Sequence, residues 1–393
     1  MSLKKFEFFF VVAPGTEALA VQELEENWPF LLGSDLRPNV EPLPQVQTVF
    51  GGISFEAELG LGLQNHFWLK LPVRILVRVA SFFADEFFQL EKALQNSNLQ
   101  DWLEKGTEVE FKIESQRSKL GQEKRILEVA TAVFSSQFKV CESAAQKVYL
   151  RASENQWMLS LDGSGEPLYK RNWAVNKGEA PLRENLAATG WRLLTRDVPV
   201  AEMQNVTLYD PFVGSGTCLF EAALQNQPQQ QREFSFLRWK ATPGFLKLPQ
   251  FLKNSKVRRA GFVGRFFGAD SDAEMIKTTQ KNLKAIQAWV PELSLGLTVR
   301  DFWSDGKIPL NEAEKIWVFT NPPFGQRIPW RQVQRQKWLQ HLVLSTGAAR
   351  IGFLYPQKSL EGIEFPENYL LLSKTEFLHG GQAVDFVVLE KKT

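Results

Sequence analysis

Cysteine and histidine are scarce in this 393-residue chain, which holds two of the former and three of the latter. Cys141 and Cys218 stand far apart, so they make neither a disulfide framework nor a Cys-x-x-Cys metal site, and the expected compartment is the reducing cytoplasm. His66, His341 and His379 are scattered as well, and no metal site is expected. Net charge is nearly missing: 46 Lys and Arg against 44 Asp and Glu leave +2, so any surface for a polyanion has to be local. No run approaches the ~18 uninterrupted apolar residues of a membrane span. Met1-Ser-Leu-Lys-Lys before an apolar run imitates a secretion signal, but Glu7 interrupts the run and Glu17, Glu23, Glu25 and Glu26 follow at once. Core material, in contrast, is plentiful, at 44% hydrophobic residues. At roughly 150 residues per domain, the length suggests two or three domains. The expectation is a cytoplasmic, multidomain monomer.

The first 165 or so residues alternate short strands and helices. Phe6–Val12 is an apolar run closed by Ala13-Pro14-Gly15, and Thr16–Trp28 repeats apolar residues at helical spacing. Strand-like Gly51–Ala57, Arg74–Phe82 and Val109–Glu114 alternate with helical Leu61–Leu69, Glu86–Trp102 and Ile126–Gln137, and Trp157–Asp162 reads as a final strand. From about residue 200 the pattern changes to strand, polar signature, helix, repeated. Asn205–Tyr209 leads into Asp210-Pro211-Phe212-Val213-Gly214-Ser215-Gly216-Thr217 and a helix, Cys218–Gln225. Phe262–Gly268 leads into Ala269-Asp270 and a helix with Met275, Ile276, Leu283 and Ile286 as its stripe. Ser271 to Glu274 has the form of a capping box at the start of that helix. Leu297–Arg300 ends at Asp301, and Ile316–Thr320 runs into Asn321-Pro322-Pro323-Phe324. This grammar describes an α/β fold with a parallel sheet and crossover helices, whose ligands bind beyond the carboxyl ends of the strands.

The glycine turn at Gly214 and Gly216 permits close approach of a ligand, but position 219 is Leu where a dinucleotide fingerprint needs a third glycine, and the next strand-end acid, Asp270, lies 60 residues from Asp210 where the fingerprint wants one about 20 residues on. No lysine follows Gly216, which excludes a phosphate-binding P-loop. A ligand without a pyrophosphate remains, held by acids at successive strand ends. S-adenosylmethionine fits: its sulfonium and ammonium tolerate carboxylates, and its ribose diol and adenine amine need acceptors. Asp210, Asp270 and Asp301 stand where those acceptors are needed. The competing reading is that each Asp merely forms a turn or a cap.

Asn321-Pro322-Pro323-Phe324 resembles the active-site signature of methyltransferases that modify exocyclic or planar nitrogens. A nucleobase amine is a poor nucleophile because its lone pair is delocalised. The Asn321 side-chain oxygen and the Pro322 carbonyl could hold its two N–H bonds and leave the lone pair aimed at a methyl group. Phe324 offers a face for the base, and the prolines stiffen the corner. The competing reading is a plain Pro-Pro turn.

Together, Asp-Pro-Phe-Val-Gly-Ser-Gly-Thr, Gly-Ala-Asp-Ser-Asp and Asn-Pro-Pro-Phe-Gly-Gln-Arg resemble the THUMP-domain-containing class I RNA methyltransferases, and the guanine-N2 branch acting on large-subunit ribosomal RNA in particular. The linker Asp162–Trp173 followed by Ala180-Pro181-Leu182-Arg183-Glu184-Asn185 is similar to that branch's connection between its domains. Ala13–Leu19 and Gly51–Glu56 look, more loosely, like its ferredoxin-like and THUMP openings. The resemblance implies a Rossmann-like catalytic domain, a mostly parallel sheet with an antiparallel last strand, preceded by an α+β ferredoxin-like and THUMP module. The implied boundaries are 1–50, 51–165 and 166–393, with a basic insert at 225–267. It also implies S-adenosylmethionine as cofactor, with Asp210, Gly214 and Gly216 around its methionine part, Asp270 at the ribose, Asp301 at the adenine, and Pro211 and Thr217 as further cofactor-binding residues. Ala180, Pro181 and Leu182 would lie near it, and Asn321 to Phe324 would hold the target base. Phe324 stands where the branch often has Tyr, and Val213 where it commonly has Cys.

The insert carries nine cations against one acid, Glu233, with Phe234, Phe236, Trp239, Phe245 and Phe251 interleaved. Charge for phosphates and flat faces for unpaired bases would suit loop or single-stranded RNA, and a basic excursion that packs its aromatics is the alternative. Arg238, Arg258 and Arg259 in the insert, Arg117 and Lys119 in the loop before residue 126, and the pair Lys170-Arg171 are the candidate RNA contacts. The function expected is methylation of guanine N2 in structured RNA, with 23S ribosomal RNA as the expected substrate. A tRNA guanine-N2 enzyme, an adenine-N6 methyltransferase on DNA or RNA, and a non-catalytic RNA-binding assembly factor stay open as alternatives.

Overall fold

The computed structural model describes all residues except 1–3, 34–35, 175–181, 230–231, 249–250, 252–263, 305–307, 309–314, 324–331, 358–362, 380–381 and 393, and it leaves the side chains of 332–336 and 379 undescribed. The chain forms two compact units. No helix among the described residues is long and apolar enough to cross a membrane.

The first unit comprises Met1–Val12, Ala20–Leu168 and Pro228–Arg258. Its strands are β1 (Lys5–Val11), β2 (Gln47–Val49), β3 (Gly52–Glu58), β4 (Arg74–Phe83), β5 (Glu108–Gln116), β6 (Lys139–Val140), β7 (Gln146–Ser153) and β8 (Gln156–Asp162). They make one sheet in the order β2-β3-β1-β4-β8-β7-β5-β6. β1 lies between β3 and β4 and pairs antiparallel with both, so residues on either side of position 50 share a sheet. The helices are α1 (Glu17–Asn27), α2 (Leu59–Trp68), α3 (Phe87–Gln95) and α4 (Glu123–Phe134). The helix expected over Glu86–Trp102 stops at Gln95, because Asn98 turns left-handed at φ 55° and a 3-10 turn, Leu99–Asp101, follows.

The insert differs from the sequence reading in where it belongs. Its residues Pro228–Arg258 pack with the first unit, and apolar burial is the reason. Phe234, Phe236, Trp239 and Phe251 are all essentially inaccessible. Phe67 meets Phe234 and Phe251 at centroid separations of 5.0 and 5.4 Å, and Trp102 meets Trp239 at 5.8 Å. Each such side chain contributes about 1.5–3 kcal/mol on burial. The Arg232 guanidinium donates to the carbonyls of Ser164, Glu166 and Pro167 at 3.1, 2.6 and 2.9 Å. His66 shares this core and is buried completely, which pushes its pKa down to about 3 and keeps it neutral. These rings hold the first unit together and are not free to stack bases, so the base-stacking role expected of them is corrected.

The second unit comprises Ala13–Leu19, Tyr169–Gln227 and Arg259–Thr393. Its strands are β9 (Val206–Asp210), β10 (Arg265–Asp270), β11 (Gly296–Val299), β12 (Lys315–Thr320), β13 (Arg350–Pro356), β14 (Tyr369–His379) and β15 (Gln382–Lys391). The order is β11-β10-β9-β12-β13-β15-β14. β9 to β13 pair parallel, and β15 is antiparallel to both its neighbours. Strands covered on both faces need no polar alternation: all of β9, and β13 as far as Tyr355, is buried. The helices are α5 (Glu184–Leu194), α6 (Val200–Met203), α7 (Thr217–Ala223), α8 (Ala273–Gln287) and α9 (Gln332–Thr346). This is the Rossmann-like class I arrangement expected. The strand order reverses at β9, between β10 and β12, so the crevice for a ligand opens at the carboxyl ends of these three strands.

Candidate active site

β9 ends in Asp210, which is 1% exposed. Its Oδ1 accepts from the Phe212 amide at 3.0 Å and from the Thr320 hydroxyl at 2.6 Å. Thr320 is the last residue of β12 and directly precedes Asn321, so one buried carboxylate joins the glycine-turn strand to the Asn-Pro-Pro strand. Burial drives the Asp210 carboxyl up to about 7, against the pull of its hydrogen bonds to Thr320, Phe212 and Cys218, and the Asp270 charge adds to the rise. Burial also pushes the Cys218 thiol up.

β10 ends in Asp270. Its Oδ1 accepts from the Asp272 amide at 2.9 Å, and its Oδ2 from the Gly214 amide at 3.0 Å, which ties the second strand tip to the glycine turn. Partial burial raises its carboxyl above the usual range. Asp301 follows β11; it is exposed, and its Oδ1 accepts from the Trp303 amide at 2.9 Å. The three aspartates thus share a motif, each accepting from the amide two residues on. Each is a turn former, as the plainer reading supposed. Asp210 and Asp270 do more, since their second contacts are to other segments of the crevice. The Asp301 turn is braced by Phe302, whose ring lies 4.7 Å from that of Phe212 and whose carbonyl is 2.7 Å from His341 Nε2.

The glycine turn needs its glycines: Gly214 has φ 51° and Gly216 φ 89°, both in the left-handed region. A Cβ on Gly214 would meet only the Phe212 carbonyl, at 3.9 Å, so the turn faces open space. The turn is anchored from below by residues that sequence reading missed. Thr279 Oγ1 donates to the Gly214 carbonyl at 2.5 Å, and Asn282 Nδ2 to the Ser215 carbonyl at 3.0 Å. Both side chains are inaccessible and stand three residues apart on one face of α8. The buried stripe of α8 is therefore Ile276, Thr279, Asn282 and Ile286, with a polar middle in place of an unbroken apolar one. A polar pair inside an otherwise apolar helical stripe was the available signal. The cap of α8 is also corrected: Asp272, not Ser271, accepts from the Glu274 amide, at 2.8 Å. Replacing Thr279 with valine and Asn282 with leucine is expected to weaken binding of the turn's ligand, because the loop carbonyls lose their anchors, while costing about 1–3 kcal/mol of stability. Calorimetry and denaturant unfolding check both.

Asn321 and Pro323 are half-buried and Pro322 is buried, all just past the end of β12, whose Thr320 bonds Asp210. Phe324, Ala180 and Pro181 lie outside the described residues; Leu182 is buried just before α5. Pro211 and Thr217 flank the glycine turn, and Thr217 begins α7. Of the candidate RNA contacts, Arg258 and Arg259 lie outside the described residues. Lys170 is exposed, Arg117 is exposed beside Glu154 at 3.6 Å, Lys119 is exposed and paired with Asp85 at 2.7 Å, and Arg238 is exposed and paired with Glu233. Arg171 is a correction. Its guanidinium is buried and donates twice, at 3.3 Å, to the buried Glu221 carboxylate on α7, so it fastens the linker to the helix after the glycine turn and is not free for phosphates. Among the described residues no group of three or more His, Cys, Asp or Glu could hold a metal ion.

Residues 171–345 match the family model of the RMKL-like methyltransferase domain. That stretch of the chain is therefore similar to the methyltransferase domain of this family. It is 29% identical over 350 residues to the ribosomal RNA large subunit methyltransferase K/L of Cellvibrio japonicus, a match that takes in 82% of this chain and 43% of that relative. The chain thus spans less than half of that relative's length. A Synechocystis protein named as a presumptive RNA methyltransferase, slr0064, is 26% identical over 345 residues, which is 82% of this chain and 80% of the relative. Among solved structures, SMU.472, described as a presumptive methyltransferase and complexed with SAH, superposes with a TM-score of 0.73 at 18% identity, over 100% of this chain and 99% of that one. That likeness establishes the fold.

Proposed function

We propose that the second unit transfers a methyl group from S-adenosylmethionine to the exocyclic N2 amine of a guanine in structured RNA, with large-subunit ribosomal RNA as the substrate class. The observation that carries this reading is the buried Asp210–Thr320 hydrogen bond, which sets the acidic glycine-turn strand and the Asn321-Pro322 corner side by side. The residues present fit the cofactor. Asp270 accepts from the Gly214 and Asp272 amides, and a carboxylate with about four acceptor sites retains capacity for a ribose hydroxyl. Gly214 leaves open the space that a side chain would fill. When bound, S-adenosylmethionine supplies a methyl group made electrophilic by its sulfonium.

The rest of the chemistry belongs to this chain. Asn321 Oδ1 and the Pro322 carbonyl accept the two N–H bonds of the target amine and fix its direction, and proline rigidity presets that geometry. The proton lost from the amine passes to solvent. Positioning supplies most of the acceleration, and the crevice admits only a base drawn out of its stack. The names of the relatives support RNA as the substrate, and the K/L relative supports the large ribosomal subunit. Methyl-labelled S-adenosylmethionine incubated with the protein and either large-subunit ribosomal RNA, tRNA or duplex DNA tests the reading. Label recovered as N2-methylguanosine from ribosomal RNA is expected; label confined to adenine N6 overturns the choice of base.

A further inference from the structure

We infer that Asn185 is a cofactor-binding residue, its side-chain oxygen accepting a hydrogen bond from the α-ammonium of the cofactor's amino-acid head. This rests on the reading of the crevice as an S-adenosylmethionine site. Asn185 is the second residue of α5 and is 98% buried, yet its Oδ1 accepts no hydrogen bond. An orphaned buried carbonyl costs about 1–3 kcal/mol, so the fold keeps an acceptor where stability alone would favour an apolar side chain.

The packing of α5 places this acceptor. The Leu194 carbonyl, at the helix's end, accepts from Arg350 Nη1 at 3.0 Å, and Arg350 is the first residue of β13. A Cβ on Gly190 would stand 3.0 Å from the Phe319 ring of β12. The helix therefore runs from the carboxyl edge of the sheet back to its amino edge, against the direction of β12 and β13. From Leu194 to Asn185 is about 13 Å of helix, equal to about four residues of strand. Four residues beyond Arg350 is Leu354, one step past Phe353, which pairs with Thr320. Asn185 thus lies towards the carboxyl ends of β12 and β13, the end at which Asn321 follows Thr320. Alongside, the Trp191 indole donates to Gln225 Oε1 at 2.8 Å, just past the end of α7, so α5 and α7 run parallel with both beginnings at the crevice. No side chain caps α5.

The beginning of a helix favours negative charge, and an unpaired acceptor favours an ammonium. An α-amino acid head presents both groups on one carbon, which is the ligand chemistry this pairing fits. A ligand lacking that head should be indifferent to Asn185.

Calorimetric titration with S-adenosylhomocysteine and with 5′-methylthioadenosine, which lacks the amino-acid head, tests this on the full chain. Asn185→Leu is expected to weaken S-adenosylhomocysteine at least about tenfold and to leave methylthioadenosine within twofold, with a melting temperature equal to or above wild type. Asn185→Asp, which keeps the acceptor, is expected to retain S-adenosylhomocysteine binding. Equal weakening of both ligands, unchanged S-adenosylhomocysteine affinity, or a lowered melting temperature of the leucine variant would overturn the assignment to the amino-acid head. Wild-type protein that binds neither ligand defeats the cofactor reading itself, a different outcome from any of these.

Discussion

Replacing Asn321 with alanine is expected to lower turnover at least about 100-fold while leaving cofactor affinity within about twofold. The residue stands at the tip of β12, one position beyond the Thr320 that bonds Asp210, and its assigned partner is the target amine. Removing its side-chain oxygen leaves one of two N–H bonds unheld, so the lone pair is no longer aimed, but nothing that touches the glycine turn changes. Single-turnover methyl transfer and calorimetry separate the two quantities. A variant that turns over at the wild-type rate removes Asn321 from the reaction, and one that loses cofactor affinity in proportion moves it into the cofactor's site.

The second large effect concerns Asp210. Its folded carboxyl sits at about 7 because it is buried, whereas in the unfolded chain it ionises near 3.9. Between those values the native state holds a proton that the unfolded state has lost. Stability from this group is therefore complete below about pH 4 and is lost as pH rises through about 7. Asp210→Asn keeps an acceptor for Thr320 and Phe212 and never ionises. Relative to wild type it should gain on the order of 3 kcal/mol in unfolding free energy between pH 4 and 8. The same substitution should weaken the cationic cofactor at least about tenfold at pH 8, where the native carboxylate is charged. In wild type, cofactor affinity should rise with pH up to about 7 and then level off. Urea unfolding at pH 5 and pH 8 and calorimetry across that range measure both. A variant whose stability tracks wild type at every pH would show that Asp210 ionises normally.

Much of this site is legible in the sequence because strand-tip chemistry is local. An aspartate that takes the amide two residues on, a glycine turn with positive φ, and a proline corner each depend on neighbours a few positions away. Asp210, Asp270, Gly214 and Asn321 could therefore be placed in one crevice from their order alone. The parts that were not legible depend on distant partners. Thr279 and Asn282 look like ordinary helix residues until the fold brings the Gly214 and Ser215 carbonyls over them. Thr320 is one more β-branched strand residue until it meets Asp210. Arg171 beside Lys170 looks like a basic pair, and only the position of Glu221, fifty residues on, shows that it is buried. The aromatics of the insert present the hardest case. A phenylalanine amid cations suits a base or a core equally well, and composition does not reveal that Phe67 and Trp102 wait as packing partners.

The central claim is that the tips of β9, β10 and β12 form one methyl-transfer site for a guanine amine. Mass spectrometry of nucleosides from large-subunit ribosomal RNA tests it most directly, comparing a strain lacking this protein with the same strain carrying wild-type or Asn321→Ala protein. The account predicts that one N2-methylguanosine is missing without the protein, returns with wild type and stays missing with the alanine variant. Full N2-methylguanosine in the strain lacking the protein, or its restoration by the alanine variant, would contradict the account.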